Sequence, residues 1–517
     1  MAMFALFAWP FIAMAIVSAR GSVHGLIWAT LIGALFLPEK YSIDLPGLPP
    51  YDKNAAVALG LVLGLLVARK TTAASGDDPN RFAARTMAAL AVMLLVSGVV
   101  TVLANPESLT FGPTFIKGLD LHDLMSMTSE SMIFLILFLA AQRHLGSPEA
   151  HVALLRAFVL AGAGYSLLVL FEVRMSPQLH QWVYGYFQHS WIQHVRGGAY
   201  RPIVFQPHGL WIGIFLLTCA LSAIALFKTR FRAGDRRGGL LFATFWFVMV
   251  LFLSRNFGAT VLAVLFAPAL WFLGRRPQTW IAVSVVATFL VYPALRQSGL
   301  ITLDTPIAVA ESISPERAQS FAYRVDNERA YLERAAEKPL TGWGIWARWR
   351  IFDPVTGADV SVSDGRWVSV LGERGWIGYI ASFGLLSVPI LLLPLVARRR
   401  EVSHATMGIA MIMVATMLYQ LANNTIGPMT LLLAGALSGF VIRMPVSAVD
   451  AAALVAEAGG SARLRPGQMR YSRFGGERKE TPAAVRSVPD TPAATRAEPA
   501  ARTRLASHMR LSRARRS

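Results

Sequence analysis

The sequence predicts an all-α polytopic membrane protein with about 11 to 13 transmembrane helices. The chain has 517 residues, of which 54% are hydrophobic and only 15% are charged, whereas soluble proteins carry about 25% charged residues. Apolar runs of about 15 to 24 residues recur along the chain, as helices that cross a lipid bilayer require. Alternating period-2 strands separated by turns, which are typical of outer-membrane barrels, are absent from the sequence.

Thirteen apolar segments are candidate transmembrane helices, and the first three are short for a hydrocarbon layer of about 30 Å. No Lys or Arg precedes the first segment, so we expect a retained span and not a cleaved signal peptide. The single cysteine, Cys219, lies inside one segment, so no disulfide can form within the chain. The segments are residues 3–18, 22–37, 54–68, 86–104, 124–142, 152–172, 207–227, 239–254, 257–273, 279–295, 367–396, 403–421 and 426–442.

The basic residues of the short connections predict how these helices are oriented. Sixteen Lys and Arg residues lie in one alternating set of connections, against four in the other set, which are Lys40, Lys53, Lys117 and Arg255. Because short cytoplasmic loops are enriched in Lys and Arg, we expect the first set and the C-terminal tail in the cytoplasm. Two long loops, 172–206 and 296–366, then lie outside.

The predicted organisation has four parts: transmembrane helices with the first outer loop in 1–295, the large outer loop 296–366, the last transmembrane helices in 367–444, and a tail, 445–517. In the large loop, Ser314 and Pro315 predict the start of an amphipathic helix, which ends before Pro339. The tail is rich in Ala, Arg, Pro, Ser and Gly, a composition that predicts disorder.

The formal net charge of +19 is concentrated in the tail and in the short loops. This distribution is typical of membrane orientation and of attraction to anionic lipid, and it argues against nucleic acid as a partner. Two interpretations of the tail stay open: contact with the inner leaflet, or a solvated basic extension with no specific role.

Charged side chains crowd the expected outer face. Arginine suits anionic oxygens, because its planar guanidinium binds phosphate through two hydrogen bonds and stays charged when desolvated. Arg255 lies in a short outer loop, where basic residues are disfavoured, and is either a snorkelling interfacial arginine or a ligand-binding group. The stretch SDGRWVSVLGERGWIG, 363–378, opens an apolar helix with Arg366 and Glu373 on one face. Aromatic residues on the same side fit an interfacial belt or sugar stacking.

Other polar groups carry weaker signals. Asp120, His122 and Asp123 lie together at the outer end of a span but lack the ligand number and spacing of zinc motifs. Glu130 lies inside a span, where a carboxylate is a functional candidate by default, but the role we favour is a hydrogen bond to a Ser or Thr of another helix. Three histidines of the first outer loop match no known ligand spacing: His180, His189 and His194.

Four stretches between Tyr200 and Leu386 resemble the O-antigen ligase and bacterial polysaccharide polymerase superfamily. They are YRPIVFQPHGLWIGIFL, LSRNFGATVLAVLFAPAL, YRVDNERAYLERAAEKPLTGWG and SDGRWVSVLGERGWIGYIASFGLL. Family members place a His at the end of the large loop, with a Gly after ten intervening residues; Asp364 holds that position here, followed by Gly375. Asp364 would then replace the His as general base, or it would hold Arg366 and leave the base role to Glu373 or to no residue.

The resemblance implies a glycosyltransferase of the bacterial cell inner membrane, with a periplasmic active face and a cytoplasmic tail. The donor would be a glycan on an isoprenoid diphosphate, the acceptor another glycan, and no metal or other cofactor would be needed. Membrane lipid and other polysaccharide export components are further expected partners. The candidate substrate-binding residues are Arg201, His208, Arg255, Arg324 and Arg366, and the candidate catalytic residues are Asp364 and Glu373.

Three functions compete within this prediction. A polymerase is favoured over a ligase that transfers to a lipid core, because Asp364 departs from the ligase-like His. A flippase or transporter of the same lipid-linked glycan is the alternative from a different class, and it would show inverted repeats and broken helices.

Overall fold

The computed structural model of the protein describes residues 1–43, 50–68, 79–196, 198–234, 238–313, 315–361 and 365–443. Asp364, Ser314 and the tail 445–517 lie outside the described residues. The helices are α1 Ala2–Phe36, α2 Lys53–Val67, α3 Arg81–Leu103, α4 Leu121–His144, α5 Pro148–Met175, α6 Leu179–Tyr184, α7 Gly209–Arg232, α8 Gly239–Leu253, α9 Phe257–Phe272, α10 Arg275–Gln297, α11 Asp304–Ile313, α12 Pro315–Glu337, α13 Arg366–Leu391, α14 Leu393–Ala397, α15 His404–Gln420 and α16 Pro428–Ile442. Two short antiparallel hairpins pair β1 Leu109–Phe111 with β2 Thr114–Ile116, and β3 Val195–Arg196 with β4 Ala199–Tyr200.

Seven helical segments in the described part of the chain are long and apolar enough to cross a membrane. They are α1, α3, α4, α5, α7, α10 and the continuous run of α13 with α14. Large apolar side chains such as Phe11, Phe245 and Phe272 are exposed on the bundle, as expected of a surface that faces lipid. The predicted class, an all-α protein with membrane-spanning helices, is confirmed at this level.

Helix α1 is two antiparallel segments joined at Gly21. Gly21 has φ 74° and ψ 172°, outside the helical region. A methyl group added at Gly25 would lie 2.5 Å from Val17 Cα, and one at Gly33 would lie 2.8 Å from Trp9 Nε1, so the chain folds back on itself. The separate candidate spans 3–18 and 22–37 are therefore confirmed as two segments, and each of the other candidate spans overlaps a helix.

Two helices organise the bundle. Helix α7 is almost wholly buried and packs against α5, α8, α9 and α15, whereas α13 packs against α3, α10 and α16. The amphipathic helix expected in the large loop is α12, which ends at Glu337, just before Pro339. Residues 339–344 of this loop bond to the backbone of α13.

The first outer loop is anchored by Glu172, which the sequence analysis placed at the loop boundary. Helix α5 continues to Met175, so Glu172 belongs to its last turn. Its buried carboxylate accepts backbone N–H bonds from Leu179 at 3.0 Å, Ile203 at 2.9 Å and Val204 at 2.7 Å. These bonds fix both ends of the loop, which indicates a structural role for this charge.

Candidate functional site

Helix α13 is interrupted at Gly375, its tenth residue. The glycine has φ 60° and ψ −164°, a conformation that an L side chain rarely adopts. A methyl group there would also lie 2.4 Å from the carbonyl carbon and oxygen of Leu340. The charged first turns, residues 366–374, are therefore a separate helical segment, and the apolar part of the helix begins at Trp376.

The end of the large loop docks into this interruption. Residues 339–344 read PLTGWG, and they pair with the backbone on both sides of Gly375. Interrupting a helix frees polar backbone groups, which are tolerated at membrane depth only when protein satisfies them. The bonds run from Trp376 N to Pro339 O (2.8 Å), Ile377 N to Leu340 O (3.3 Å), Trp343 N to Gly372 O (2.8 Å) and Gly344 N to Glu373 O (2.9 Å).

The same loop segment is tied to the end of α3. Thr101 Oγ1 donates to Thr341 O at 2.5 Å, and Asn105 Nδ2 donates to Gly342 O at 2.9 Å. Lys338 Nζ donates to Glu107 at 2.5 Å. Burial raises the pKa of Glu107, but the bond from Lys338 and the nearby cations outweigh burial, so this pKa lies below its ordinary value.

A pocket of about 210 Å³ opens beside the charged segment of α13. Two arginines, Arg366 and Arg374, line it together with the carboxylates of Glu130 and Asp52. Its apolar wall comes from α3, α4, α13 and α16, and includes Leu94, Phe134, Leu137, Phe383 and Leu431. The pocket thus combines a charged part with an apolar part, as a site for an amphiphilic ligand would.

Arg374 joins α13 to α4. Its guanidinium donates to Ser131 Oγ at 2.9 Å, to Met127 O at 3.1 Å and to Glu130 Oε2 at 2.9 Å. Its side chain is 6% exposed, whereas that of Glu130 is 62% exposed. The expectation that Glu130 bonds a Ser or Thr was wrong: it forms an ion pair and keeps an accessible carboxylate in the pocket.

Arg366 is the first residue of the charged segment of α13. Its guanidinium lies 3.8 Å from Glu373, and the two side chains are 26% and 17% exposed. This places the predicted pair on one helix face, seven residues apart, as the spacing indicated. The backbone N–H of Arg366 also donates to Asn423 O, in the connection between α15 and α16, so this connection fixes the first turn of α13.

Three helices begin at the pocket, and the N–H groups at two of these starts already have acceptors, Asp52 for α2 and Asn423 O for α13. Asp52 caps α2 by accepting Ala55 N–H at 2.9 Å, Arg366 opens α13, and Gly427 and Pro428 open α16. Helix N-termini carry partial positive charge and unpaired N–H groups. Burial raises the pKa of Asp52, so this carboxyl gains a proton more easily than an exposed aspartate.

Arg201 and Arg255 meet elsewhere, at the turn between α8 and α9. Arg201 is 3% exposed and donates from Nη2 to Asn256 Oδ1 at 2.6 Å, while Asn256 Nδ2 donates to Ser254 Oγ at 2.8 Å. Arg255 is exposed in this turn and has φ 56°, a left-handed conformation that costs an arginine roughly 1 kcal/mol. The turn therefore holds the guanidinium of Arg201 in place and leaves the side chain of Arg255 exposed.

The two arginine groups share none of the described pockets: Arg366 is bonded to the connection between α15 and α16, whereas Arg201 is bonded to Asn256. Asn423 bonds the backbone of Arg366, whereas Gly427 packs against Trp211 of α7. The remaining candidates lie apart. Arg324 is exposed on α12, and His208 caps α7 by accepting Leu210 N–H at Nδ1, at 3.1 Å. The site assembled by the described residues is thus the pocket with Arg366, next to Glu373.

A long apolar groove of about 980 Å³ adjoins the pocket. It is lined by α1, α2 and α4, with Phe11, Leu59 and Met132 among its residues, and Ile133 lines both the groove and the pocket. Tyr51, next to Asp52 in the sequence, closes one part of the groove. An apolar chain lying in this groove would therefore end close to the charged pocket.

The sequence analysis did not include Arg374 and Glu130 among the site residues. The signal that could have found them is charge inside apolar spans: a carboxylate in α4 and an arginine in α13 are each costly in lipid, and together they neutralise each other. A scan against models of protein families finds no match to the chain, and a search of curated proteins finds none. The resemblance to the O-antigen ligase superfamily therefore stays a prediction.

Proposed function

We propose that the protein is a membrane glycosyltransferase that moves a glycan from an isoprenoid diphosphate to a hydroxyl of an acceptor glycan, at the outer face of a bacterial inner membrane. The observation that carries the proposal is the pocket beside the charged segment of α13, which Arg366 lines with a partly exposed guanidinium suited to a diphosphate. The adjoining apolar groove would accept the isoprenoid chain.

The reaction is a single displacement. The acceptor hydroxyl oxygen forms a bond to the anomeric carbon, the bond from that carbon to the diphosphate oxygen breaks, and the lipid diphosphate leaves with the electron pair. Arg366 would stabilise the charge that develops on the leaving group. The hydroxyl proton passes to a carboxylate, either Asp364 or Glu373, and the anomeric configuration inverts.

Arg366 and Arg201 have different roles in the proposed reaction, because only Arg366 lies at the pocket. Arg366 lines the pocket, whereas Arg201 is bonded to Asn256 and Arg255 lies in a turn outside it. We therefore assign the diphosphate to Arg366 and leave Arg255 to the headgroup region or the glycan. A polymerase is favoured over a ligase only by Asp364, for the reason given from the sequence.

The test is glycan transfer by the purified full-length protein in lipid nanodiscs, with a synthetic isoprenoid-diphosphate oligosaccharide as donor. We expect transfer and release of the lipid diphosphate in equal amounts. Asp364→Asn and Glu373→Gln identify the base, because only the variant that lacks it should lose the fall in transfer rate that protonation of this carboxylate causes at acidic pH. Glu333→Gln is the matched control, since Glu333 is 69% exposed on α12. Wild-type protein that consumes no donor under these conditions would contradict the proposal.

One observation favours a second candidate, a transporter of the same lipid-linked glycan. Helix α13 is discontinuous, with charges at its interruption, and discontinuous helices form the substrate sites of many transporters. Proteoliposomes that hold a fluorescent lipid-linked glycan on one leaflet separate the two functions. Movement between leaflets without transfer supports transport, and transfer without movement supports the glycosyltransferase.

A further inference from the structure

Three histidines from two separate segments meet beside Arg201. His189 and His194 lie in the first outer loop, and His208 caps α7. The ring centroids lie 4.7 Å apart for His189 and His208, 5.1 Å for His189 and His194, and 5.2 Å for His194 and His208. One nitrogen of each ring lies within 4.8 Å of the others. We propose that these imidazoles bind a divalent transition-metal ion of the zinc class.

The cluster needs little movement to reach metal geometry. Zinc bonds to histidine nitrogens are about 2.0–2.1 Å long, so in a tetrahedral site the nitrogens lie about 3.3 Å apart. Drawing the three rings inward by about 1 Å each would reach that spacing. Three imidazoles leave a fourth position for water, and neutral nitrogen ligands suit zinc, nickel, copper or cobalt and not calcium or magnesium.

The partners of His194 and His189 favour ligation. His194 is buried, and its Nδ1–H donates to Arg201 O at 3.2 Å, which leaves the lone pair on Nε2. Bonds of this kind fix the orientation and the tautomer of metal-binding histidines. The Nδ1 atom of His189 is buried and has no hydrogen-bond partner among the described residues.

His208 would have to give up its capping hydrogen bond to Leu210 in order to bind the metal. Its Nδ1 accepts the Leu210 N–H, so the proton of the neutral ring lies on Nε2. Ligation through Nε2 moves this proton to Nδ1 and removes the capping bond at the start of α7. This exchange identifies a useful variant: asparagine is a good N-cap residue but does not supply an imidazole.

The metal would act as a clamp and would take no part in glycan transfer. It would tie the outer loop to the first turn of α7 and hold the backbone of Arg201, whose carbonyl is bonded to His194. The cluster is separate from the pocket that Arg366 lines. The inference is therefore independent of the proposed function, and either can fail without the other.

The experiment measures zinc binding by the full-length protein, purified through a tag without histidine and stripped with a chelator. Zinc is added, excess is removed, and bound zinc is measured by plasma mass spectrometry; cobalt is used in parallel for its visible ligand-field bands. We compare wild type with His189→Ala and His208→Asn. His122→Ala is the matched control, because His122 is exposed in the other polar cluster.

We expect about one zinc ion per chain in wild type and in His122→Ala, and at least about tenfold weaker binding in the two cluster variants. Zinc should raise the thermal midpoint of wild type but not of the variants. Metal-free His208→Asn should have the same thermal midpoint as metal-free wild type, which would show that the variant is folded. Wild type that keeps no zinc above the buffer level, or cluster variants that bind zinc as well as wild type, would overturn the proposal.

Discussion

Arg366 and Arg201 both lie where a long loop leads into a helix, yet their surroundings differ. Arg201 is 3% exposed and donates to the amide oxygen of Asn256. Arg366 keeps 26% of its side chain exposed and lines a pocket with Glu130. A neutral acceptor holds a guanidinium in place, whereas ligand binding needs space in front of it. Residue type alone therefore does not identify a ligand-binding arginine.

Arg348 shows the same distinction more strongly. It is fully buried in the large loop, and its guanidinium donates to Trp343 O at 3.1 Å and to Lys117 O at 2.7 Å, with Glu107 at 3.4 Å. These acceptors join the large loop to the loop between α3 and α4. These bonds indicate a structural role for Arg348.

The largest expected effect separates the two arginine groups. Arg366→Ala should lower the rate of glycan transfer by about 10²- to 10³-fold, because it removes a charge at the leaving diphosphate. Arg255→Ala should lower the rate by about tenfold or less, since Arg255 lies outside the pocket. Both rates are measured in nanodiscs at saturating donor. Arg329→Ala is the control, since Arg329 is 78% exposed on α12; an equal loss for Arg255→Ala would show that the two groups form one site.

The next effect tests whether the interruption of α13 creates the pocket. Gly375→Ala should destabilise the protein by at least about 2 kcal/mol, because the methyl group meets the backbone of Leu340 and the left-handed φ is unfavourable. The measurement is the thermal midpoint in detergent, together with transfer activity. Gly164→Ala in α5 is the control, since no atom lies within 4 Å of the added methyl group. Equal midpoints for the two variants would contradict the close docking of residues 339–344.

Much of the fold could be predicted from the sequence, because an apolar run of sufficient length is a local signal. The candidate spans all overlap helices, and the helix before Pro339 ends where expected. The site could be predicted only in part. Arg366 and Glu373 are close in sequence and share a helix face, whereas Arg374 and Glu130 are 244 residues apart. Their pairing depends on how α4 packs beside α13, which no local pattern encodes.

The smallest effect concerns Glu107, in the loop between α3 and α4, which pairs with Lys338. The pKa of Glu107 is lowered in the folded protein, so its contribution to stability is present above the unfolded pKa and is lost as the pH falls through the lowered folded pKa. Because Glu107 is 44% exposed, we expect only about 0.5 kcal/mol. The measurement is the thermal midpoint between pH 7 and acidic pH. In Glu107→Gln the thermal midpoint should change less with pH than in wild type. If the midpoint of the variant changes with pH as much as that of wild type, other carboxyls cause the pH dependence.

The interruption at Gly375 also bears on how the chain enters the bilayer. Residues 376–397 follow the interruption and would extend about 33 Å at 1.5 Å per residue, enough to cross a hydrocarbon layer of about 30 Å. The insertion machinery can therefore recognise and release this helix without its charged turns. Neutralising Arg366 or Glu373, which are partly exposed, should therefore change activity and leave membrane insertion intact.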